Sequence, residues 1–338
     1  MAFRKVTEFK TPEAFAEYVR SENFHIGVAP EVKADGSAAL AQPVPYKGRV
    51  IGNRWAVLPM EGWDCMDDGT PSDFTMRRWL RFARSGAKLI YGTEAGAVMH
   101  TGRSNPQQLL VAPHTGAVLK HIVSEMRRVH REKFGKDDDL VIGIQLTHSG
   151  RYSHPNKADV LEPVTAYQHP LLDKKFHCSA ANVVTDEEVG NIVQHFIAAA
   201  KVAQEAGFDF VDIKSAHGYL GHEFLTAYDR PGKYGGSFEN RTRFFREIAE
   251  GIQKNVPGLD ISARVSLFDV FPFVKGGDGV GHPMEWPAGT RYPYAFGGDG
   301  TGMDMDPDLK ETVQFIDMLG EFGVGMICAT IGSPYYNV

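Results

Sequence analysis

Six short apolar runs, separated by segments of helical spacing, constrain this chain more than any other feature. The runs are Arg54–Met60, Ala87–Tyr91, Leu140–Leu146, Phe208–Ile213, Ile261–Leu267 and Val324–Thr330. Between them lie predicted helices over Phe74–Ser85, His114–Phe134, Thr185–Ala206, Asn240–Asn255 and Asp306–Phe322. Thr185 is an N-cap with Glu188 three residues on, a capping box, and Gly207 stops that helix. Strands alternating with helices of ten or more residues build a parallel sheet from βαβ units. Near-continuous apolar strands are covered on both faces. The expected class is therefore α/β.

Two parallel architectures compete. A dinucleotide-binding sheet would carry GxGxxG directly after its first strand, and none is present. The glycine-rich stretch Gly276–Gly302 lacks that spacing and reads, over 271–305, as a loop insertion or lid. A TIM (β/α)8-type barrel fits better, with six of its eight βα units visible in one domain spanning residues 1–338. Ahead of it, Thr11 and Pro12 are placed to start a short helix, and Pro43, Pro45 and Gly48 mark turns.

Composition narrows the function. Net charge is −6 from 36 basic and 42 acidic residues, well interspersed, so no nucleic-acid or membrane-surface partner is expected. Cys65, Cys178 and Cys328 are scattered, which argues against a disulfide framework or a cysteine-rich metal site. No apolar run approaches membrane-spanning length and the N-terminus has no signal-peptide pattern, so a soluble, cytoplasmic protein is expected.

Polar residues gather at the C-terminal strand ends: Glu94, Gln145, His148, Lys214, His217 and Arg264. In a (β/α)8 barrel that end carries the active site. Gln145 can both donate and accept, which suits a heterocycle presenting a carbonyl and an N–H; it equally suits a backbone contact. A guanidinium within a barrel strand, Arg264, needs an anion or strong acceptor. Asp212 or Asp269 would serve, and so would negative charge on a bound ring.

At this point the motifs themselves become informative. NRWAVLPMEG, QLTHSGRYSHP, HGYLGHEFL, YGGSFENRTRF and ARVSLFD stand in the order and spacing of the Old Yellow Enzyme-like NADH:flavin oxidoreductases. The pattern most resembles the branch with 2,4-dienoyl-CoA reductase and trimethylamine dehydrogenase. The resemblance implies bound FMN, NAD(P)H as reductant, and hydride transfer to an activated C=C bond of a small α,β-unsaturated carbonyl compound. It implies that the backbone of Pro59, Met60 and Glu61, together with Ala95, meets the flavin, that Gln145 bonds its pyrimidine edge, and that Arg264 lies near the N1–C2 carbonyl. It places His217 and Lys214 at the substrate carbonyl and Tyr219 as proton donor to the α-carbon. Lys214 departs from the family's His at its position, pointing to a carboxylate-bearing or phenolate-like ligand or, equally, to a salt bridge with Asp212 or Glu94. Trp63, Asp64 and Cys65 are further pocket candidates, whereas His222, Glu223 and the Tyr234–Ser237 segment read as structural.

The resemblance also implies flavin-phosphate contacts after a seventh and an eighth strand. The sequence ICATIGSPYYNV matches the sixth strand and its loop, so a truncated chain is expected. Two other readings stay open: a metal-dependent TIM-barrel hydrolase, suggested by 13 histidines but lacking HExxH, and a non-catalytic flavin-binding fragment. The expected partner is a small molecule, and self-association into a homo-oligomer is left open.

Overall fold

The computed structural model describes residues 4–29, 31, 33–302 and 305–335. Its centre is a parallel sheet of six strand positions with helices outside. The first position is β1 (Ala56–Val57), and the second is split into β2 (Leu89–Ile90) and β3 (Ala95–Ala97). Then follow β4 (Val141–Thr147), β5 (Phe210–Ser215), β6 (Asp260–Phe268) and β7 (Ile327–Ile331), each parallel to the one before. The helices are α1 (Asp73–Arg84), α2 (Gly116–Phe134), α3 (Asp186–Ala206), the short α4 (Leu220–Leu225), α5 (Phe238–Asn255) and α6 (Lys310–Glu321). This is the α/β architecture expected, six consecutive units of a (β/α)8 barrel.

The first two strands are shorter than their apolar runs. Pro59 has no N–H to give a ladder, so pairing in the first run ends at Val57. In the second run Gly92 passes so close to Pro59 that an added Cβ would sit 2.3 Å from the proline ring. The strand breaks there and resumes at Ala95.

Side chains alternate between two faces. Ile142, Ile144, Leu146, Val211, Ile213, Ile261, Ala263 and Val265 point outward into the main core with α2, α3 and α5. The inward residues form layers. The lowest is apolar, with Tyr91, Val141, Phe210 and Cys328, and a hairpin of Val44–Tyr46 and Arg49–Ile51 seals it with Tyr46 and Ile51. Phe210 fills the space left by Gly143, where a Cβ would lie 2.2 Å from its ring. Above lies a polar layer in which Gln145, Asp212 and Ser262 are register partners, and above that Lys214 stands opposite Arg264.

Helix boundaries follow their caps. The Thr185 side chain accepts from Glu188 N at 3.2 Å, the Glu188 carboxylate accepts from Thr185 N at 2.7 Å, and Gly207 closes α3 at φ 92°. Thr185→Ala is expected to lower unfolding free energy by about 1 kcal/mol, read from denaturant melts. Thr11 caps Pro12–Ser21 as its sequence indicates. None of the described helices is long and apolar enough to cross a membrane.

The 271–305 insertion is partly folded, and Met303 and Asp304 lie outside the described residues. It contains a hairpin of Phe273–Lys275 and Gly281–Pro283. Phe271, Tyr292 and Tyr294 pack around Leu171 and His169, and Tyr292 Oη lies 3.1 Å from His169 Nε2. The insertion thus sits on the loop beyond β4. None of its described residues lines the cavity at the strand ends.

Candidate active site

A cavity of about 480 Å³ opens at the C-terminal strand ends. Its wall contains Pro59, Met60, Glu61, Ala95, Gln145, Lys214, His217, Tyr219 and Arg264, the nine residues that the resemblance assigns to flavin or substrate, with Trp63, named as a further pocket candidate, and with Pro334 and Tyr335. Strand register explains the grouping: Ala95 pairs with Gln145, Gln145 with Asp212, and Lys214 with Arg264. Residues two apart on β5 therefore climb one wall from polar layer to cavity.

Two buried polar atoms on this wall have no partner. Gln145 donates Nε2 to Asp212 Oδ2 at 2.5 Å, which leaves Oε1 unsatisfied. The amide thus offers the cavity its free Oε1 acceptor, and Nε2 keeps a second hydrogen beyond the one given to Asp212. Arg264 donates Nη1 to Pro59 O at 3.2 Å, and its Nε is buried without a partner. Asp212 forms no ion pair with Arg264 among the described residues. Asp212 is instead held by Gln145 and by Tyr91 Oη at 3.2 Å, and burial pushes its carboxyl up to about 6. Buried orphan donors and acceptors are costly. A ring bearing an N–H beside a carbonyl would satisfy both.

The first-strand loop supplies the opposite wall. Pro59 O and Met60 O already accept from Arg264 and from Ala95 N, the latter at 3.0 Å. Ala95 O accepts from Gln108 Nε2 at 2.8 Å. With both backbone groups of Ala95 engaged inside the protein, its contribution to the wall is its methyl and one remaining carbonyl lone pair, less than the free backbone contact expected. Glu61 contributes a side chain that sequence reasoning did not use. Its Oε1 accepts from Tyr219 Oη at 2.7 Å, and its Oε2 accepts from Ser104 Oγ.

The residues after β5 occupy a strained turn. His217 has φ 64° and Gly218 φ 72°. His217 N donates to Ser266 Oγ at 3.2 Å and His217 O accepts from Ser333 Oγ at 3.0 Å, so β6 and the loop after β7 hold the turn. Gly221 lets α4 fold back onto β5, because a Cβ there would meet Lys214 O at 2.5 Å. His222 and Glu223 do structural work: His222 Nδ1 accepts from Gly218 N at 2.8 Å, and Glu223 takes Arg151 Nε at 2.6 Å.

Burial, reinforced by Lys214 and Arg264, pushes the His217 imidazole down to about 3, so the ring is neutral. Lys214 Nζ lies 3.8 Å from Glu61 Oε1 and 3.4 Å from the Tyr219 ring centre. Its carboxylate neighbour is thus Glu61, not Asp212 or Glu94. Those two are occupied: Asp212 by Gln145, and Glu94 by Arg78 Nη2 at 2.6 Å and Gly62 N at 2.5 Å.

The structure separates other strand-end candidates from the cavity. His148 accepts from Gly150 N and faces away, and Cys65 turns into the core against Thr75. Asp64 is tied to Arg78. Tyr335 was missed although it lines the site. It stacks on Tyr152 at 4.2 Å and meets Tyr219 Oη at 2.6 Å. Its signal was the Ser-Pro-Tyr run just past the last strand; the adjacent Tyr336, Asn337 and Val338 lie outside the described residues. Among the described residues no group of three or more His, Cys, Asp or Glu is arranged to hold a metal ion.

Comparison with known proteins places this geometry. A "NADPH dehydrogenase" of Bacillus subtilis is 35% identical over 234 residues, covering 68% of this chain and 64% of that protein. A "NADH:flavin oxidoreductase" of Gibberella zeae is 30% identical over 261 residues, covering 71% and 60%. The chain thus spans under two thirds of the length of these relatives. Among solved structures, Old Yellow Enzyme from Pichia sp. AKU4542 superposes with TM-score 0.60 at 22% identity, over 88% of this chain and 71% of that one. A 2-naphthoyl-CoA reductase gives 0.64 at 19%, over 88% and 41%. At these identities the structural likeness establishes the fold. Residues 39–286 match the model of one family along most of the barrel, and with the curated relatives they show that the chain belongs to the NADH:flavin oxidoreductase / NADH oxidase family.

Proposed function

We propose that this chain forms the flavin- and substrate-facing part of an FMN-dependent oxidoreductase that uses NAD(P)H to reduce an activated C=C bond of a small α,β-unsaturated carbonyl compound. The observation that carries the reading is the pair of unpartnered buried atoms, Gln145 Oε1 and Arg264 Nε, on one cavity wall. An isoalloxazine pyrimidine edge presents the matching N–H and carbonyl. Bound there, FMN would supply two-electron hydride chemistry, which no protein side chain provides.

The chain's own residues do the rest. Gln145 and Arg264 orient the ring edge, and the guanidinium stabilises negative charge that develops on it. Pro59, Met60 and Ala95 form an apolar backing. Neutral His217 and Lys214 face the position of a substrate carbonyl and donate hydrogen bonds to its oxygen. Tyr219 and Tyr335, backed by Tyr152, close the far side and limit substrate bulk. Within the family, the motif pattern favours the branch of 2,4-dienoyl-CoA reductase and trimethylamine dehydrogenase.

The test is spectroscopic. Protein incubated with FMN and desalted is expected to retain a visible band near ~450 nm that NADPH bleaches without oxygen. Protein that keeps no flavin, or flavin that NADPH leaves oxidised, refutes the reading.

A further inference from the structure

We propose that Lys214, not Tyr219, delivers the proton that accompanies hydride transfer, and that Glu61 withholds the Tyr219 proton from the reaction. The inference rests on the function proposed above and concerns which side chain of this chain acts as acid.

Tyr219 has a single proton, and it points into a carboxylate. Its Oη donates to Glu61 Oε1 at 2.7 Å, and an ionised carboxylate has only acceptors. Tyr335 Oη, 2.6 Å from Tyr219 Oη, must then be the donor to that hydroxyl oxygen. The carboxylate is fixed from its other end: Ser104 Oγ donates to Glu61 Oε2, and Trp63 Nε1 donates to Ser104 Oγ at 3.0 Å. Turning the Tyr219 proton to a substrate would break a charge-assisted bond and leave phenolate against carboxylate. Burial, with Glu61 adding to it, holds the Tyr219 hydroxyl well above its ordinary range.

Lys214 is placed differently. Its ammonium lies over the Tyr219 ring, and its ion pair with Glu61, at 3.8 Å, is longer than a hydrogen bond. It lines the cavity, where N–H groups can reach a ligand. Arg264 stands opposite in register and opposes its charge, while Glu61 and Asp212 favour it. Burial outweighs these and lowers the lysine to about 8. His217 on the same turn is already neutral and has no spare proton to give.

The step balances as follows. A hydride equivalent from reduced nicotinamide reaches the β-carbon and forms a C–H bond. The C=C π pair shifts toward the carbonyl carbon and the carbonyl π pair moves onto oxygen. One Lys214 N–H bond breaks, an O–H bond forms, and the product leaves as an enol with Lys214 as neutral amine. Solvent reprotonates the amine and tautomerises the enol.

Two measurements on the whole protein decide it. The first is acetylation of Lys214 by acetic anhydride against pH, read by peptide mass spectrometry, which needs no turnover. A midpoint near 8 is expected; one above ~10, the range of an ordinary lysine, overturns the proposal. The second is NADPH-driven enone reduction against pH. Wild type is expected to lose about tenfold per pH unit above the labelling midpoint. Lys214→Met is expected to be at least ~100-fold slower with that fall abolished, within the usual range for losing a general acid. Tyr219→Phe should keep the fall at the same pH. A fall that persists in Lys214→Met, or vanishes in Tyr219→Phe, overturns the assignment while NADPH-dependent flavin bleaching still stands. Absence of bleaching in wild type refutes the parent function instead, and the acid role with it.

Discussion

An Arg264→Met protein is expected to hold flavin more weakly and to be reduced by NADPH roughly 10²–10³-fold more slowly, the range seen when one preorganised donor to developing charge is removed. The guanidinium lies in the middle of β6, with Pro59 O as its hydrogen-bond partner and Nε unsatisfied. Arg264 is half-buried with its Nε shielded from solvent, a costly state for an unpartnered donor, and the cost is recovered when negative charge forms beside it. The same reasoning fixes a second sign. Flavin-free Arg264→Met should melt no lower than flavin-free wild type, because an apolar chain of similar length replaces an uncompensated charge. The loss should therefore be confined to the loaded protein. Measurements of flavin content, midpoint potential and flavin-free melting separate this from misfolding. Unchanged content and potential would sink the assignment.

Much of this site was legible in the sequence because strand geometry repeats every two residues. Asp212 and Lys214 on β5, and Ser262, Arg264 and Ser266 on β6, are polar at alternate positions and share the inner face. The outer-face residues between them made the strands read as continuous apolar runs. The partners were harder to read. One of the two readings of Lys214 paired it with Asp212, two residues before it on the strand, or with Glu94 at another strand end. Asp212 lies one layer lower and is taken by Gln145, so the ammonium meets Glu61 from the first-strand loop. The role of the Glu61 side chain depends on Ser104, Tyr219 and Tyr335, which three different segments bring together. No local pattern encodes such a convergence. Alternation also says nothing about which polar strand-end residue serves the cavity and which serves the scaffold, and Glu94 was grouped with the former.

Glu94 is better understood as the post that holds the first-strand loop in place. Its side chain is buried. Oε1 accepts from Gly62 N at 2.5 Å, and Oε2 accepts from Arg78 Nη2 at 2.6 Å and from Trp79 Nε1 at 3.3 Å. Gly62 follows Glu61 directly, so the bond to its N–H sets where the Glu61 carboxylate stands. Glu94→Ala is expected to destabilise the protein by about 3 kcal/mol, the low end for breaking a buried pair, because Arg78 keeps Asp64 at 2.8 Å. It should also loosen the hold of Glu61 on Tyr219. Glu94→Gln tests the electrostatic part. Burial, opposed by Arg78, pushes the Glu94 carboxyl up to about 7 from an ordinary 4.5. Between those values the folded state binds this proton more readily than the unfolded chain, so the group's contribution to stability falls as pH rises from about 4.5 to about 7. Glutamine carries no such proton. The stability of Glu94→Gln relative to wild type should therefore improve as pH is raised from about 5 to about 7. Denaturant melts at the two pH values measure it. A difference that stays constant, or shifts in wild type's favour as pH rises, would show that Arg78 holds Glu94 ionised throughout and that the loop is anchored by a full ion pair.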